Sequence, residues 1–489
     1  MNESTAEPSL PTATGPGGKV SFGQKLAFGF GMLANQMFPA ALTIFYVVLV
    51  DGLGFSGLAW GLIAFAPRMF DAITDPIMGF VSDNTRSRWG RRRPYVLIGG
   101  LLLGITYVIM WQLYAENGLT YNFWYFLSLS LVFYLALTIF SVPYVAMGYE
   151  MSDDFHERTS IMAIAQFVGQ WAWVIAPWFW VILYDPTWFP DATDPTKAAP
   201  ADGVRQLAVW VAIPCTLFAI IPALFIRSES TVDRDDFKPI SFGSVFGSIG
   251  DIIRSAIEAI RIPQFRKMAL ATFLIFGSFN MAAAFTFFII KFHLFNGNEG
   301  EMGTWPAMHG CVGALITSFL VIPVVAAMGK KIGKKKAFIV SQSISIIGYV
   351  LFWFLFVPGK PYLFLFALPF HSFGIGGLFT LMMSMTADVC DVDELKSGKR
   401  REGMLGAVYW WMVKLGDAFA KLLGGVALAV VGFNAEKVTP EAMTGLRAAY
   451  TVIPILGVIG AIVMMWTYDI TEESAADVRK QLQEKKAAT

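Results

Sequence analysis

Residues 68–95, RMFDAITDPIMGFVSDNTRSRWGRRRPY, form the stretch that decides the fold. It begins inside an apolar run that carries Arg68, Asp71 and Asp75, and on a helix these three side chains share one face. A charged side chain near the middle of a bilayer costs about 2.5–3.5 kcal/mol on insertion scales. We therefore expect a membrane-spanning helix whose charges face the protein interior and not the lipid.

The same stretch ends in a short loop that is rich in arginine and therefore expected to stay on the cytoplasmic side. We interpret one aspartate and four of the arginines as the latch of a cytoplasmic gate. These residues are Asp83, Arg88, Arg91, Arg92 and Arg93. Acidic residues near the end of the tenth apolar segment are candidate partners, and the alternative for them is an ordinary solvated loop. They are Asp388, Asp391, Asp393 and Glu394.

The composition agrees with a membrane protein. Of the 489 residues, 55% are apolar and 15% are charged, whereas a soluble chain carries about 25% charged residues. Twelve apolar segments reach the roughly 20 residues that a bilayer requires. Their predicted spans are 26–50, 57–82, 94–114, 122–149, 158–184, 206–226, 266–292, 304–328, 336–357, 361–388, 402–432 and 443–468. The predicted fold class is an all-α membrane protein with twelve transmembrane helices.

The loops between these segments alternate in charge. Loops that follow segments 2, 4, 6, 8 and 10 are rich in Lys and Arg, and the opposite loops are poor in both. By the positive-inside rule, both termini are cytoplasmic. We expect a multi-pass protein of the plasma membrane (the inner membrane in a bacterium). Its expected partners are the bilayer and a small-molecule or lysolipid substrate, with no nucleic acid, and its expected state is a monomer.

An amphipathic segment at 241–262 divides the apolar segments into two sets of six. A weak repeat supports the division, since GFVSDNTRSRWGRRRPY after segment 2 has a counterpart in AAMGKKIGKKKAF after segment 8. Two six-helix halves with such loops are typical of the major facilitator architecture, in which substrate binds between the halves. The predicted parts are a disordered cytoplasmic tail (1–22), the N-terminal half (23–227), a cytoplasmic linker (228–265), the C-terminal half (266–468) and a cytoplasmic C-terminal tail (469–489).

Several separated motifs resemble those of the glycoside–pentoside–hexuronide:cation symporters, the melibiose permease family. They are KLAFGFG in helix 1, FDAITDPIMGFVSDNTRSRWGRRRPY from helix 2, TIFSVPYVAMGYEMSDDFHERT around helix 4, and ADVCDVDELKSGKRREG and VYWWMVKLGDAFAKLLGG in and before helix 11. The motifs occur in the family's order and extend along most of the chain. The resemblance implies the major facilitator fold and the cation-coupled transport of a sugar-like solute.

The resemblance also implies roles for single residues. It makes Asp71 and Asp75 the ligands of the coupling cation, Thr138 a further ligand, and Lys414 the partner that faces them from helix 11. The residue chemistry agrees, because two carboxylates on one face repel each other unless a cation, a proton or Lys414 compensates their charge. Na⁺ suits carboxylate and hydroxyl oxygens, and H⁺ is the other candidate. The alternative is a static ion pair with Arg68 that only locks helix 2 to helix 11.

The chain departs from the family where the family binds sugar. Neutral residues replace a Lys–Asp pair on helix 1, an aspartate on helix 4 and an arginine on helix 5. These replacements are Asn35, Gln36, Ser141 and Gln166. Neutral groups still hydrogen-bond a sugar, but they lack the strong charge-assisted hydrogen bonds of the charged residues. We also expect Trp410, one turn before Lys414, and Arg68 to lie near the substrate.

Two other classes of protein compete with a sugar symporter. An enzyme would need a nucleophile and a base, or a nucleotide-binding loop, and the sequence shows no Walker A motif and no such pair. We therefore expect no enzyme and no cofactor besides the coupling ion. The lysophospholipid symporters resemble the same family and keep the paired aspartates and the lysine. A Na⁺-dependent lysolipid transporter of the same fold is thus the alternative.

Overall fold

The computed structural model describes residues 19–152, 154–226, 228, 230–232, 242–398 and 401–488, so positions 1–18 of the predicted N-terminal tail lie outside it. The described part of the chain contains twelve long helices. They are α1 (Phe22–Asp51), α2 (Gly57–Asp83), α3 (Arg93–Met110), α4 (Leu119–Glu150), α5 (Phe155–Ile175, continued by Trp178–Leu183), α6 (Pro200–Phe225), α7 (Pro263–Phe288, continued by the π-helical turn Ile289–Leu294), α8 (Trp305–Ile316, Thr317–Val321 and Ile322–Ile332), α9 (Lys334–Leu355), α10 (Leu368–Ser397), α11 (Glu402–Val430) and α12 (Pro440–Trp466). The predicted fold class of an all-α, twelve-helix membrane protein is confirmed.

Two further helices of 17 or more residues lie outside this set of twelve. The linker helix Phe242–Arg261 occupies the amphipathic segment and packs against α2, α7 and α11. The C-terminal helix Glu472–Ala488 forms where we expect only a tail from the sequence. It packs on α10, and its Ala475 and Leu482 side chains are buried.

We name the two ends of the helix bundle by their charge. The basic face is the end at which α1 begins and α2 ends, and it carries the arginine-rich loop between α2 and α3. The distal face is the opposite end, at which α1 ends and α2 begins. Odd-numbered helices therefore run from the basic to the distal face, and even-numbered helices run back.

Ten of the twelve helices are long and apolar enough to cross a membrane by length and composition. The two exceptions are α2 and α11, whose middle turns carry charged side chains. These two helices come from different halves of the chain and pack along each other. Each helix thus shields the charged side chains of the other from the lipid. Charged side chains within a membrane need such shielding.

The predicted and observed bounds differ most at α10. The predicted span 361–388 begins too early, because Pro361–Phe366 forms a separate 3₁₀ turn, and it ends too early, because the helix continues to Ser397. The added turns carry Asp388 and Asp393, which are 8% and 7% exposed. An ordinary solvated loop is therefore the wrong interpretation of these two residues.

Small residues allow α2 and α11 to approach closely near the distal face. Gly57 and Gly61 of α2 are four residues apart and lie against Gly425 of α11. A Cβ atom on Gly425 would lie 2.6 Å from the Cα of Gly61, so no side chain fits there. Such a pair of small residues, one turn apart, is typical of tight helix packing in membranes.

The buried apolar residues form two separate cores. The first core unites the six N-terminal helices with the distal parts of α7, α9, α11 and α12. The second core contains the linker helix and the parts of α7 to α12 that lie towards the basic face. The two halves therefore share one apolar core at the distal face and have separate cores at the basic face.

Candidate cation and substrate site

The charged side chains of α2 and α11 meet in the middle of the bundle. The Nζ atom of Lys414 lies 2.8 Å from Oδ2 of Asp71 and also forms an ion pair with Asp75. The hydroxyl of Thr138, on α4, lies 2.9 Å from Oδ1 of Asp71 and 3.1 Å from Oδ1 of Asp75. The Thr74 hydroxyl is 3.0 Å from that of Thr138. The structure thus brings all four predicted residues of the cation site together.

Arg68 extends this network across the boundary between the halves. Its Nη1 atom lies 3.1 Å from Oδ2 of Asp71, and its Nε atom lies 3.0 Å from Oδ2 of Asp417 on α11. Asp417 also accepts a hydrogen bond of 2.9 Å from Lys421. The network thus joins three cationic side chains to three carboxylates, and its net charge is zero. These six residues are Arg68, Lys414, Lys421, Asp71, Asp75 and Asp417.

The network is not uniformly buried. The side chain of Asp71 is 2% exposed, whereas those of Asp75 and Lys414 are 27% and 22% exposed. Asp75 and Lys414 therefore border the space between the two halves.

The neutral residues predicted for substrate binding lie on α1, α4 and α5 of the N-terminal half. Gln36 accepts a hydrogen bond of 2.8 Å from Nε1 of Trp173 on α5. Asn35 is half-buried next to it, and Gln166 is exposed on α5. Ser141 is half-buried on α4, one turn from Thr138.

Trp410 lies one turn from Lys414 on α11, and 48% of it is exposed. Its ring stacks on Phe379 of α10 at a centroid distance of 6.1 Å. The aromatic ring is thus held by the C-terminal half alone. It remains a prediction that this ring contacts the substrate.

Three residues of the predicted cytoplasmic latch, Asp83, Arg91 and Arg92, form ion pairs inside one half. Arg92 pairs with Asp83 at 2.5 Å and with Glu150 at 2.8 Å, and Arg91 pairs with Glu150 at 2.6 Å. Arg93 donates a hydrogen bond of 2.6 Å to the carbonyl oxygen of Ala223. All of these residues belong to the N-terminal half.

The acidic candidate partners of this latch have partners in their own half. Asp388 pairs with Lys334 at 2.5 Å, and Asp393 pairs with Arg401 at 2.6 Å. Hydrogen bonds to Asp393 raise the pKa of the Arg401 guanidinium above its usual value. The latch across the halves thus stays a prediction for another conformation of the protein.

A second charged cluster, at the distal face, was not anticipated from the sequence. Nζ of Lys291, on α7, lies 2.7 Å from Oδ2 of Asp51 at the end of α1 and 2.7 Å from Oε1 of Glu299. Asp51 also accepts a hydrogen bond of 2.6 Å from the hydroxyl of Tyr184. We call Asp51, Tyr184, Lys291 and Glu299 the distal latch, because it joins the two halves. The one signal in the sequence is a lysine inside the apolar run FFIIKFHLF.

The comparisons with known proteins agree with this architecture. The family model described as MFS/sugar transport protein matches residues 27–472. The "Uncharacterized symporter sll1374" of Synechocystis sp. is 26% identical, over 95% of this chain and 97% of its own length. The "Glucuronide carrier protein homolog" of Escherichia coli is 23% identical, over 94% of this chain and 95% of its own length.

A solved structure shows the same fold at lower identity. A mutant form of the nucleoside transporter NupG superposes with a TM-score of 0.63 and 12% identity, over 91% of this chain and 100% of its own. The family model, the relatives and this structure are all transporters and not enzymes. This chain is therefore an integral, multi-pass transporter of the sugar symport type, and it belongs to the family of MFS/sugar transport proteins.

Proposed function

We propose that the protein is a symporter that moves a sugar-like glycoside by alternating access, with Na⁺ or H⁺ as the coupling ion. The observation that carries this proposal is the position of the Lys414 ammonium between the carboxylates of Asp71 and Asp75. An ammonium in that place stands where a coupling cation would bind. The amides and aromatic rings nearby suit a solute with many hydroxyl groups.

The chemistry of coupling follows from the charges. The carboxylates of Asp71 and Asp75 and the hydroxyl of Thr138 offer oxygen ligands that suit Na⁺. Because the network is neutral with Lys414 in place, an added cation would leave one positive charge uncompensated, and burying such a charge is costly. Lys414 therefore leaves the carboxylates when the cation binds. Its ammonium then becomes available to the substrate.

The exposure of the site favours this mechanism over a static ion pair. A pair that only locks two helices would be enclosed, as Asp417 is, which joins Arg68 of α2 and is 9% exposed. Asp75 and Lys414 are instead open to the space between the halves. The static interpretation thus fits the Arg68–Asp417 pair better than it fits the Asp75–Lys414 pair.

The same proposal explains the two faces of the bundle. By the positive-inside rule, the basic face and both termini lie in the cytoplasm, which in a bacterium makes this a protein of the inner membrane. The structure then corresponds to a state that is closed to the outside by the distal latch and the shared core. In the opposite state the distal latch breaks, and the arginine loop can pair across the halves.

Uptake into proteoliposomes tests the coupling. We expect the purified protein to accumulate radiolabelled methyl β-D-galactoside or methyl β-D-glucuronide under an inward Na⁺ or proton gradient. Asp75→Asn removes a cation ligand, so accumulation should fall to the level of empty vesicles while exchange of the glycoside without a gradient persists. Asp194→Asn, in an exposed loop of the distal face, is the matched control. Accumulation by Asp75→Asn at the rate of the unaltered protein would contradict the proposed cation site.

A lysolipid is the second candidate substrate. An apolar cavity of about 310 Å³ lies between α1, α5 and α6, and it could hold an acyl chain. Its lining includes Leu33, Met37, Phe179 and Trp210, and all of its lining residues belong to the N-terminal half. The cavity is thus separate from the space that Lys414 borders, so the geometry favours a glycoside. Uptake of lysophosphatidylcholine in the same proteoliposomes, without uptake of either glycoside, would reverse this choice.

A further inference from the structure

One face of α5 is turned towards the C-terminal half. Pro177, which lies between the two parts of α5, contacts Gly310 of α8, where an added Cβ atom would lie 2.6 Å from the proline ring. Trp173 precedes Pro177 by four residues and Gln166 precedes it by eleven, so both share the face that bears Pro177. Trp173 is 40% exposed and Gln166 is exposed. These two side chains therefore line the space between the halves.

The contact between Trp173 and Gln36 fixes the direction of an amide group. The indole Nε1 group is only a donor, so it must meet the carbonyl oxygen of Gln36, at 2.8 Å. The amide nitrogen of Gln36, with two N–H donors, then points away from the indole. The backbone supports this pairing, because a Cβ atom on Gly169, one turn before Trp173, would lie 3.4 Å from Cγ of Gln36.

We propose that Trp173 and Gln36 form a platform that binds the pyranose ring of the substrate. This inference rests on the proposed function, in which the substrate is a glycoside. A pyranose has one face made of C–H groups, which packs on an aromatic ring, and an edge of hydroxyl groups, which needs hydrogen-bond partners. The exposed indole of Trp173 meets the first requirement, and the oriented amide of Gln36 meets the second.

The platform takes the place of charged groups on this side of the cavity. The four residues of the N-terminal half that are predicted to bind the sugar hydroxyls are all neutral. They are Asn35, Gln36, Ser141 and Gln166. Stacking on Trp173 then supplies binding affinity, and the hydrogen bonds of the Gln36 amide set the orientation of the sugar. Lys414 of the opposite half remains available for a substituent of the sugar.

The chain offers a matched control on the same helix. Trp171 is 45% exposed, close to the value for Trp173, but it lies two residues earlier and therefore points about 200° away around the helix. It shares its face of α5 with Phe167, which lies one turn earlier and is 58% exposed. Loss of Trp171 therefore removes a ring of equal size without touching the space between the halves.

The experiment measures binding of methyl β-D-galactoside and methyl β-D-glucuronide to purified protein by isothermal titration calorimetry. We expect Trp173→Ala to weaken binding about tenfold or more, Trp173→Phe to weaken it less, and Trp171→Ala to change it by less than about twofold. Gln36→Leu should weaken binding as well, and its effect should not add to that of Trp173→Ala. The thermal stabilisation by Na⁺ should survive in all four variants, because none of them alters the cation site.

Each other outcome has a distinct meaning. If the unaltered protein binds neither glycoside, the proposed substrate class is wrong, and the platform is wrong with it. If the unaltered protein binds a glycoside and Trp173→Ala binds it with the same affinity, the platform alone is wrong. Equal losses in Trp171→Ala and Trp173→Ala would show a general effect on the fold and would also overturn the platform.

Discussion

Removal of Lys291 should open the distal face. In Lys291→Ala, the carboxylates of Asp51 and Glu299 would remain in the closed state without their common cation. Removing one partner of a buried ion pair costs about 3–5 kcal/mol. Tyr184 still donates a hydrogen bond to Asp51, so we expect the lower end of this range. In the open state water solvates both carboxylates, so the cost falls on the closed state alone.

This cost predicts a large change in the populations of the two states. Since about 1.4 kcal/mol corresponds to a factor of ten, a loss of about 3 kcal/mol shifts the equilibrium by roughly 100-fold. A distal-closed state populated to about 99% would then fall to about 50%. The fraction of molecules that are open at the distal face would rise roughly 50-fold.

A cysteine placed behind the distal contact can report this fraction. Ala314 lies on α8, one turn from Gly310 towards the basic face, and so behind the contact of Gly310 with Pro177. We would introduce Ala314→Cys after replacing the three native cysteines with serine, and label it from the distal side with an impermeant maleimide. The native cysteines are Cys215, Cys311 and Cys390. The labelling rate should rise about as much as the open fraction.

Two further variants make this result decisive. Lys197→Ala is the control, because Lys197 forms an ion pair of 3.7 Å with Asp194 at the distal face and is 68% exposed. An exposed pair contributes about 0–1 kcal/mol, so labelling should change little. Asp51→Asn keeps the size of the side chain and should also speed labelling, even if Lys291→Ala folds poorly. Labelling of Lys291→Ala and Asp51→Asn at the rate of the unaltered protein would refute the distal latch.

Two other predictions concern α11. Lys414→Ala should weaken binding of methyl β-D-glucuronide by about 10-fold to 100-fold in calorimetry, because a charge-assisted hydrogen bond contributes about 1.5–3 kcal/mol. Binding of methyl β-D-galactoside should stay nearly unchanged, and binding of Na⁺ should be kept or strengthened, because the ammonium no longer competes for the carboxylates of Asp71 and Asp75. Equal loss of both glycosides would contradict the role of this ammonium. Gly425→Leu should lower the free energy of unfolding by about 1–3 kcal/mol, since the added side chain would overlap Gly57 and Gly61. The control in thermal unfolding is Gly406→Leu, because no atom lies within 4 Å of a Cβ added at Gly406 of α11. Equal stability of both variants would show that the fold does not need the close approach of α2 and α11.

The charged residues of the central network could be identified in the sequence because charges are rare within membrane-spanning segments. Asp71, Asp75 and Lys414 each interrupt an apolar run, and a charge in such a run needs a partner. The pairing of helix 2 with helix 11 was predicted from the resemblance to the symporter family, which implies that Lys414 on helix 11 faces the two aspartates. The same reasoning did not extend to Asp417, which the structure joins to Arg68.

Other features depended on facts that only the packed structure supplies. Asp51 and Glu299 lie at helix ends. A charged side chain there can reach water, so its presence in the sequence does not indicate a buried ion pair. The face of α5 that carries Trp173 is known only from the contact of Pro177 with Gly310. The end of α10 could not be placed either, because its acidic turns are stabilised by cations from other parts of the chain.

The central network and the close contact of Gly425 with Gly57 and Gly61 belong to the same pair of helices, α2 and α11, and this links ion binding to opening. Lys414 and Gly425 are eleven residues apart on α11, a separation of about 16 Å along one uninterrupted helix. On α2, Asp75 and Gly57 also lie on one helix. A tilt of α11 away from α2 that withdraws Lys414 from Asp75 therefore also tends to separate Gly425 from Gly57. Under the proposed function, we infer that binding of the cation and opening of the distal face both depend on the same movement of α11.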